Sequence, residues 1–151
     1  MIPLRAFVRG ACASFLLVAA LSGRAAAQRG SLSATLAGHH RTSDTLALRI
    51  DVQMTPGWHI GAPRPGASGL PTELTWQLPS GWRVVASRWP EPASTATGRG
   101  TAFEYSGPFS IETTLVADGR PRSGTIEALV SYGLCRDVCI PGRLTLTYAV
   151  R

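Results

Sequence analysis

The chain has 151 residues, with 15 basic and 9 acidic side chains, a formal charge of +6 and a hydrophobic content of 44%. That length holds one domain with a real core and is too short for two. Every basic residue is arginine, and Arg5, Arg9 and Arg24 fall in an N-terminal leader, so the charge on the remainder is too mild to argue for nucleic acid as a partner.

Arg5 and Arg9 introduce the apolar run Ala11 to Leu21, and Ala25-Ala26-Ala27 supplies the small residues a signal peptidase accepts. Residues 1–27 are therefore expected to be a signal peptide, leaving 28–151 as a single exported domain. The apolar run is shorter than the roughly 20 residues a spanning helix needs, which argues against a retained anchor. Cys12 opens this run and is expected to leave with the signal. No second apolar stretch approaches spanning length, so no transmembrane segment is expected after cleavage.

Period-two alternation dominates the rest of the chain. Leu32, Ala34 and Leu36 begin it. The clearest case is Leu46, Leu48, Ile50, Val52 and Met54 on one face, with Thr45, Ala47, Arg49, Asp51 and Gln53 on the other. The pattern returns at Leu74-Trp76-Leu78, Trp82-Val84-Ala86, Phe109 to Leu115, Ile126 to Tyr132 and Leu144 to Val150, giving about seven strands. Turn chemistry separates them at Pro56-Gly57, Pro63 to Gly69, Pro79-Ser80-Gly81, Pro90 to Gly100, Gly107-Pro108 and Asp118 to Gly124. No segment carries a helical repeat. The expected fold is all-β, an immunoglobulin-like antiparallel β-sandwich, with a small barrel as competitor. Pro90 to Gly100 is the longest patternless stretch and is read as a loop.

Cys135 and Cys139 are the only cysteines once the leader is removed. Four residues of extended strand would hold their Cα atoms about 13 Å apart, whereas a disulfide needs roughly 4.4–6.8 Å. The chain must turn between them. Ile126 to Tyr132 and Leu144 to Val150 read as a hairpin closed by residues 133–143; one helical turn over 135–139 would place both sulfurs on one face. A bridge this short is a poor staple, worth about 2 kcal/mol against about 4.7 for a hundred-residue loop. Weak stabilisation favours a reactive pair, and thiol–disulfide exchange is the chemistry it suits: an attacking thiolate, a neighbouring thiol and access for a partner.

Around the pair, Arg136 favours a thiolate and Asp137 opposes it. Tyr132 and Leu134 are candidates to shield the sulfurs, and Ile140 to pack beneath them. Two other readings stand beside exchange. The bridge is structural, in a non-catalytic binding module, or two thiolates bind copper(I) or zinc with His39, His40, His59 or Met54 as further ligands, although nothing in the spacing ties those residues to the cysteines. No cofactor is expected. Trp76 and Trp82 are read as core, with Trp58 and Trp89 as candidates to line a groove. Glu73, Glu91 and Glu104 fall on separate segments with no evident acid–base pairing.

From Pro56 onward the chain resembles a known family. Pro56-Gly57-Trp58-His59-Ile60, Pro65-Gly66-Ala67-Ser68-Gly69-Leu70-Pro71-Thr72-Glu73-Leu74, Trp89-Pro90-Glu91-Pro92 and Cys135-Arg136-Asp137-Val138-Cys139-Ile140-Pro141-Gly142 match, in order and spacing, the N-terminal periplasmic domain of the thiol:disulfide interchange protein DsbD. The resemblance implies an immunoglobulin-like domain in the periplasm with Cys135 and Cys139 as its redox pair. It also implies electrons received from a membrane-embedded thiol reductase and passed to periplasmic thioredoxin-fold proteins such as disulfide isomerases. Full-length members continue into a membrane domain and a thioredoxin-like domain, so either a separately encoded membrane protein supplies the electrons or the chain has kept the fold for another purpose. Pro90 to Gly100 falls where the family has a cap loop over the thiols; here it holds Ala93-Ser94-Thr95-Ala96-Thr97 and no aromatic residue.

Overall fold

Leu46, Leu48, Ile50 and Val52 are each 1% exposed, so the alternation that marks this segment buries one face of a strand completely while its other face stays half in water. Each such side chain contributes about 1.5–3 kcal/mol on burial. The structure, a computed structural model, describes residues 30–67, 69–121 and 123–151; the expected signal peptide lies outside them.

Ten strands are present among the described residues: β1 (Leu32–Arg41), β2 (Thr45–Met54), β3 (His59–Gly66), β4 (Glu73–Gln77), β5 (Trp82–Arg88), β6 (Ala93–Thr97), β7 (Gly100–Tyr105), β8 (Phe109–Ala117), β9 (Gly124–Cys135) and β10 (Cys139–Val150). They form two antiparallel sheets, β1-β2-β8-β5 and β10-β9-β3-β7-β6, with β4 also paired to β9. This is the two-layer arrangement of an immunoglobulin-like sandwich.

Ile111 and Leu115 of one sheet meet Ile126, Ala128 and Val130 of the other to fill the interior. Trp82 is buried at one end of this core, and Trp76 packs half-buried beside it. At the opposite end Trp58, Ile60, Ala62, Tyr105 and Leu134 make a separate apolar cluster, with Trp89 against it. Trp58 and Trp89 are thus packing residues as well.

Three strands lack the expected pattern. β3 contains Gly61, Pro63, Pro65 and Gly66, and β6 is a run of small residues exposed throughout, so neither shows a half-buried face in the sequence. β7 pairs with both and closes the sheet between them. The Pro90 to Gly100 stretch is therefore largely a strand, not a loop. The hairpin closure also contracts: residues 133–135 and 139–143 extend the ladder, leaving only 136–138 as the turn.

Candidate redox site

β9 and β10 pair without interruption from Gly124↔Val150 to Cys135↔Cys139. Directly opposed residues on antiparallel strands share a face, so the two sulfurs are brought together by strand register and not by a helical turn. The cysteines form a disulfide, with their Cα atoms 4.0 Å apart. Leu134 points into the apolar end of the sandwich. Cys135, one residue on, therefore lies on the outer face of the six-stranded sheet.

An outer-face residue near a sheet end is ordinarily wet, yet Cys135 is only 3% exposed while Cys139 is exposed on the edge strand. The connection between β3 and β4 lies on the same face two residues away, over Gly133 and Gly61. Gly133 has no side chain, and a Cβ there would stand 2.8 Å from Leu70 Cδ1; a Cβ on Gly61 would collide with the Leu70 carbonyl oxygen. Two glycines thus let residues 69–72 lie against the outer face of the sheet. Thr72, 1% exposed, secures them by donating its hydroxyl to the Gly61 carbonyl at 2.6 Å.

Such a cover leaves no signal in the sequence, because Pro63 to Gly69 reads as a turn and Pro71-Thr72 carries no periodicity. The expected shields fall elsewhere. Tyr132 and Leu134 occupy the opposite face from Cys135; the Tyr132 ring lies over Gly142, and burial raises its hydroxyl above the usual tyrosine pKa. Ile140 pairs with Leu134 on that same inner side but is 46% exposed. Leu70 at 46% and Val138 at 68% are further exposed apolar side chains at this end of the sheet.

The stretch corresponding to a cap loop is also displaced. β6 is separated from β9 by β7 and β3, a distance of about 14 Å at ordinary strand spacing. Ahead of it, Trp89 stacks on Tyr105 and Phe109 at 6.2 and 6.4 Å, and the Tyr105 hydroxyl donates to the Pro90 carbonyl at 2.9 Å. Burial first, and the nearby Glu91 second, push that hydroxyl's pKa up. A cleft of about 310 Å³ opens beside this cluster, lined by Glu91, Glu104 and Pro108 among others, but by neither cysteine.

Charge at the cysteine end is arranged in two pairs. Arg136 and Asp137 pair with each other on the tip, Nε to Oδ2 3.1 Å, while the guanidinium sits 5.0 Å from the centre of the Trp58 ring. Their opposing effects on a thiolate are thus partly spent on one another. His59 stands directly opposite Cys135 on β3, and its Nε2 lies 3.5 Å from Glu104 Oε2 on β7. Glu104 therefore has an acid–base partner, which the separation of the glutamates in sequence conceals.

The metal reading gains nothing from this geometry. Among the described residues no group of three or more His, Cys, Asp or Glu side chains is placed to hold an ion. His39 and His40 lie on β1 beside Tyr148 of β10, about 30 Å along that strand from Cys139.

The family model for the thiol:disulfide interchange protein DsbD, N-terminal, matches residues 32–149. No curated protein matches the chain. Among solved structures, the N-terminal periplasmic domain of ScsB from Proteus mirabilis superposes with a TM-score of 0.57 at 19% identity, covering 80% of this chain; the chain spans 46% of that domain's length. The GAE domain of yeast GGA1 gives 0.45 at 11% identity over 80% of this chain and 90% of its own. The reduced DsbD N-terminal domain of Neisseria meningitidis gives 0.42 at 9% identity over 71% and 82%.

Proposed function

The chain belongs to the family of the N-terminal domain of the thiol:disulfide interchange protein DsbD, and from that membership we propose that it is an exported thiol–disulfide exchange domain cycling Cys135 and Cys139 between disulfide and dithiol. The family is periplasmic, and among the described residues no helix is long and apolar enough to cross a membrane. Residues 1–27 act as the signal peptide, so the exported protein begins at Gln28, a point that mass spectrometry of the secreted chain checks directly. Electrons arrive from a membrane-embedded thiol reductase and leave to periplasmic thioredoxin-fold proteins.

The observation that carries this reading is the asymmetry of the bridge: Cys139 exposed on an edge strand, Cys135 buried beside it. An approaching thiolate meets the exposed Cys139 first, and the exposed apolar side chains of Leu70, Val138 and Ile140 at this end offer surface for a partner. Cys139 therefore forms the mixed disulfide and Cys135 resolves it.

Trapping tests the assignment. A Cys135→Ser variant, which keeps the accessible sulfur and removes the resolving one, should accumulate a disulfide-linked partner in the periplasm, and Cys139→Ser should not. The reverse result would exchange the two roles, and no adduct with either variant would favour a binding module with an inert bridge.

A further inference from the structure

Once attack on Cys139 breaks the bridge, charge must settle on the sulfur of Cys135, a residue 3% exposed. An anion left in so dry a place is costly unless it is neutralised as it forms. The side chain opposite it is His59, its direct partner across the ladder on the same outer face. Glu104, opposite Gly61 and so two positions along β7, holds the His59 ring at 3.5 Å. Cys139, Cys135, His59 and Glu104 thus form one row across four strands.

We infer that His59, positioned by Glu104, is the proton donor and acceptor for Cys135 during exchange, a role that rests on the proposed exchange function. In the reductive direction a dithiol donor's thiolate bonds to Cys139 Sγ, and the Cys135–Cys139 bond breaks with its electron pair going to Cys135 Sγ. The imidazolium of His59 gives its proton to that sulfur and becomes neutral. The donor's second thiolate then displaces Cys139, leaving the donor oxidised to a disulfide and this chain reduced by two electrons. In the oxidative direction neutral His59 removes the Cys135 proton as that sulfur attacks the mixed disulfide.

The other charged groups at this end are engaged elsewhere. Arg136 and Asp137 bond to each other on the tip, with the Asp137 side chain 84% exposed. Glu91 lines the cleft that Glu104 also lines, beside Tyr105. Glu104 touches no reacting atom and is a positioning residue. Separate strands supply the row, which is why neither the Cys-x3-Cys spacing nor any linear motif points to it.

The test is the rate at which dithiothreitol reduces the oxidised protein between pH 5 and 9, divided by the concentration of dithiothreitol thiolate. Wild-type protein should lose normalised rate as rising pH removes the imidazolium. His59→Gln should give a flat profile, slower near pH 6 by on the order of 10²-fold, the lower range for a positioned proton donor. Glu104→Gln, on a partly exposed side chain and so tolerant of folding, should flatten the profile part of the way toward that of His59→Gln, because the ring loses the carboxylate that holds it in place. A His59→Gln or Glu104→Gln profile matching wild type would overturn the assignment while leaving exchange intact. A wild-type bridge that dithiothreitol does not open would overturn both.

Discussion

A side chain at Gly133 would press on Leu70 Cδ1 and Cβ at 2.8 and 2.9 Å, so Gly133→Val should lift residues 69–72 from the sheet face. Overpacking of this kind costs about 1–3 kcal/mol. The distinguishing consequence is chemical: in the reduced protein the Cys135 thiol should be alkylated by iodoacetamide faster than in wild type, whereas a substitution that merely weakens the fold leaves the order of Cys139 before Cys135 unchanged. A second residue-level expectation concerns acid. Bonds donated by Ser110 and then by Arg49 hold the Asp51 carboxyl below its ordinary value of 3.8. A depressed folded-state pKa contributes stability that is complete above the unfolded value and is lost as pH falls through the folded one. Ser110→Ala should therefore shift the Asp51 titration upward, seen by carboxyl NMR, and shrink the acid-dependent contribution, whose loss is then complete at higher pH; an unchanged titration would contradict the bonding pattern. Because Asp51 is 41% exposed, the stability effect is small beside the shift in pH.

Among the elements, β2 and the β9–β10 hairpin bear different loads. Ile50 on β2 is 1% exposed at the centre of the core, and Ile50→Ala should cost about 2–5 kcal/mol in urea unfolding. The same measurement on Val138→Ala, at the 68% exposed tip, should lie within about 0.5 kcal/mol of wild type. β2, β8, β9 and β10 are legible from their alternation, since each buries one face and wets the other. β3 is not, because glycines at 61 and 66 and prolines at 63 and 65 replace the alternating apolar residues with backbone-to-backbone contact. β6 is not, because a wholly exposed edge strand of small residues has no buried face to leave a pattern. The cysteine pair is visible as a spacing. Its histidine is hidden, because His59 meets Cys135 only through the pairing of β3 with β9, Glu104 meets His59 only through β7, and Leu70 reaches the sheet face only through the loop laid over Gly61 and Gly133.

At the scale of the molecule, the sandwich does not depend on its bridge. The core of both sheets lies below the cysteine end, and closing a loop this short adds only about 2 kcal/mol. The Cys135→Ser/Cys139→Ser double variant should remain folded, with a Tm lowered by roughly 10 °C or less. A domain that holds its shape whether the bridge is open or closed can present one docking surface in both states, as a carrier between two partners requires. The central claim is that the bridge opens and closes reversibly at cellular potentials, and equilibration with glutathione redox buffers tests it most directly. A reduction potential near about −200 mV is predicted, in the range of known exchangers, whereas a value below about −300 mV would mark an inert structural disulfide and contradict the account.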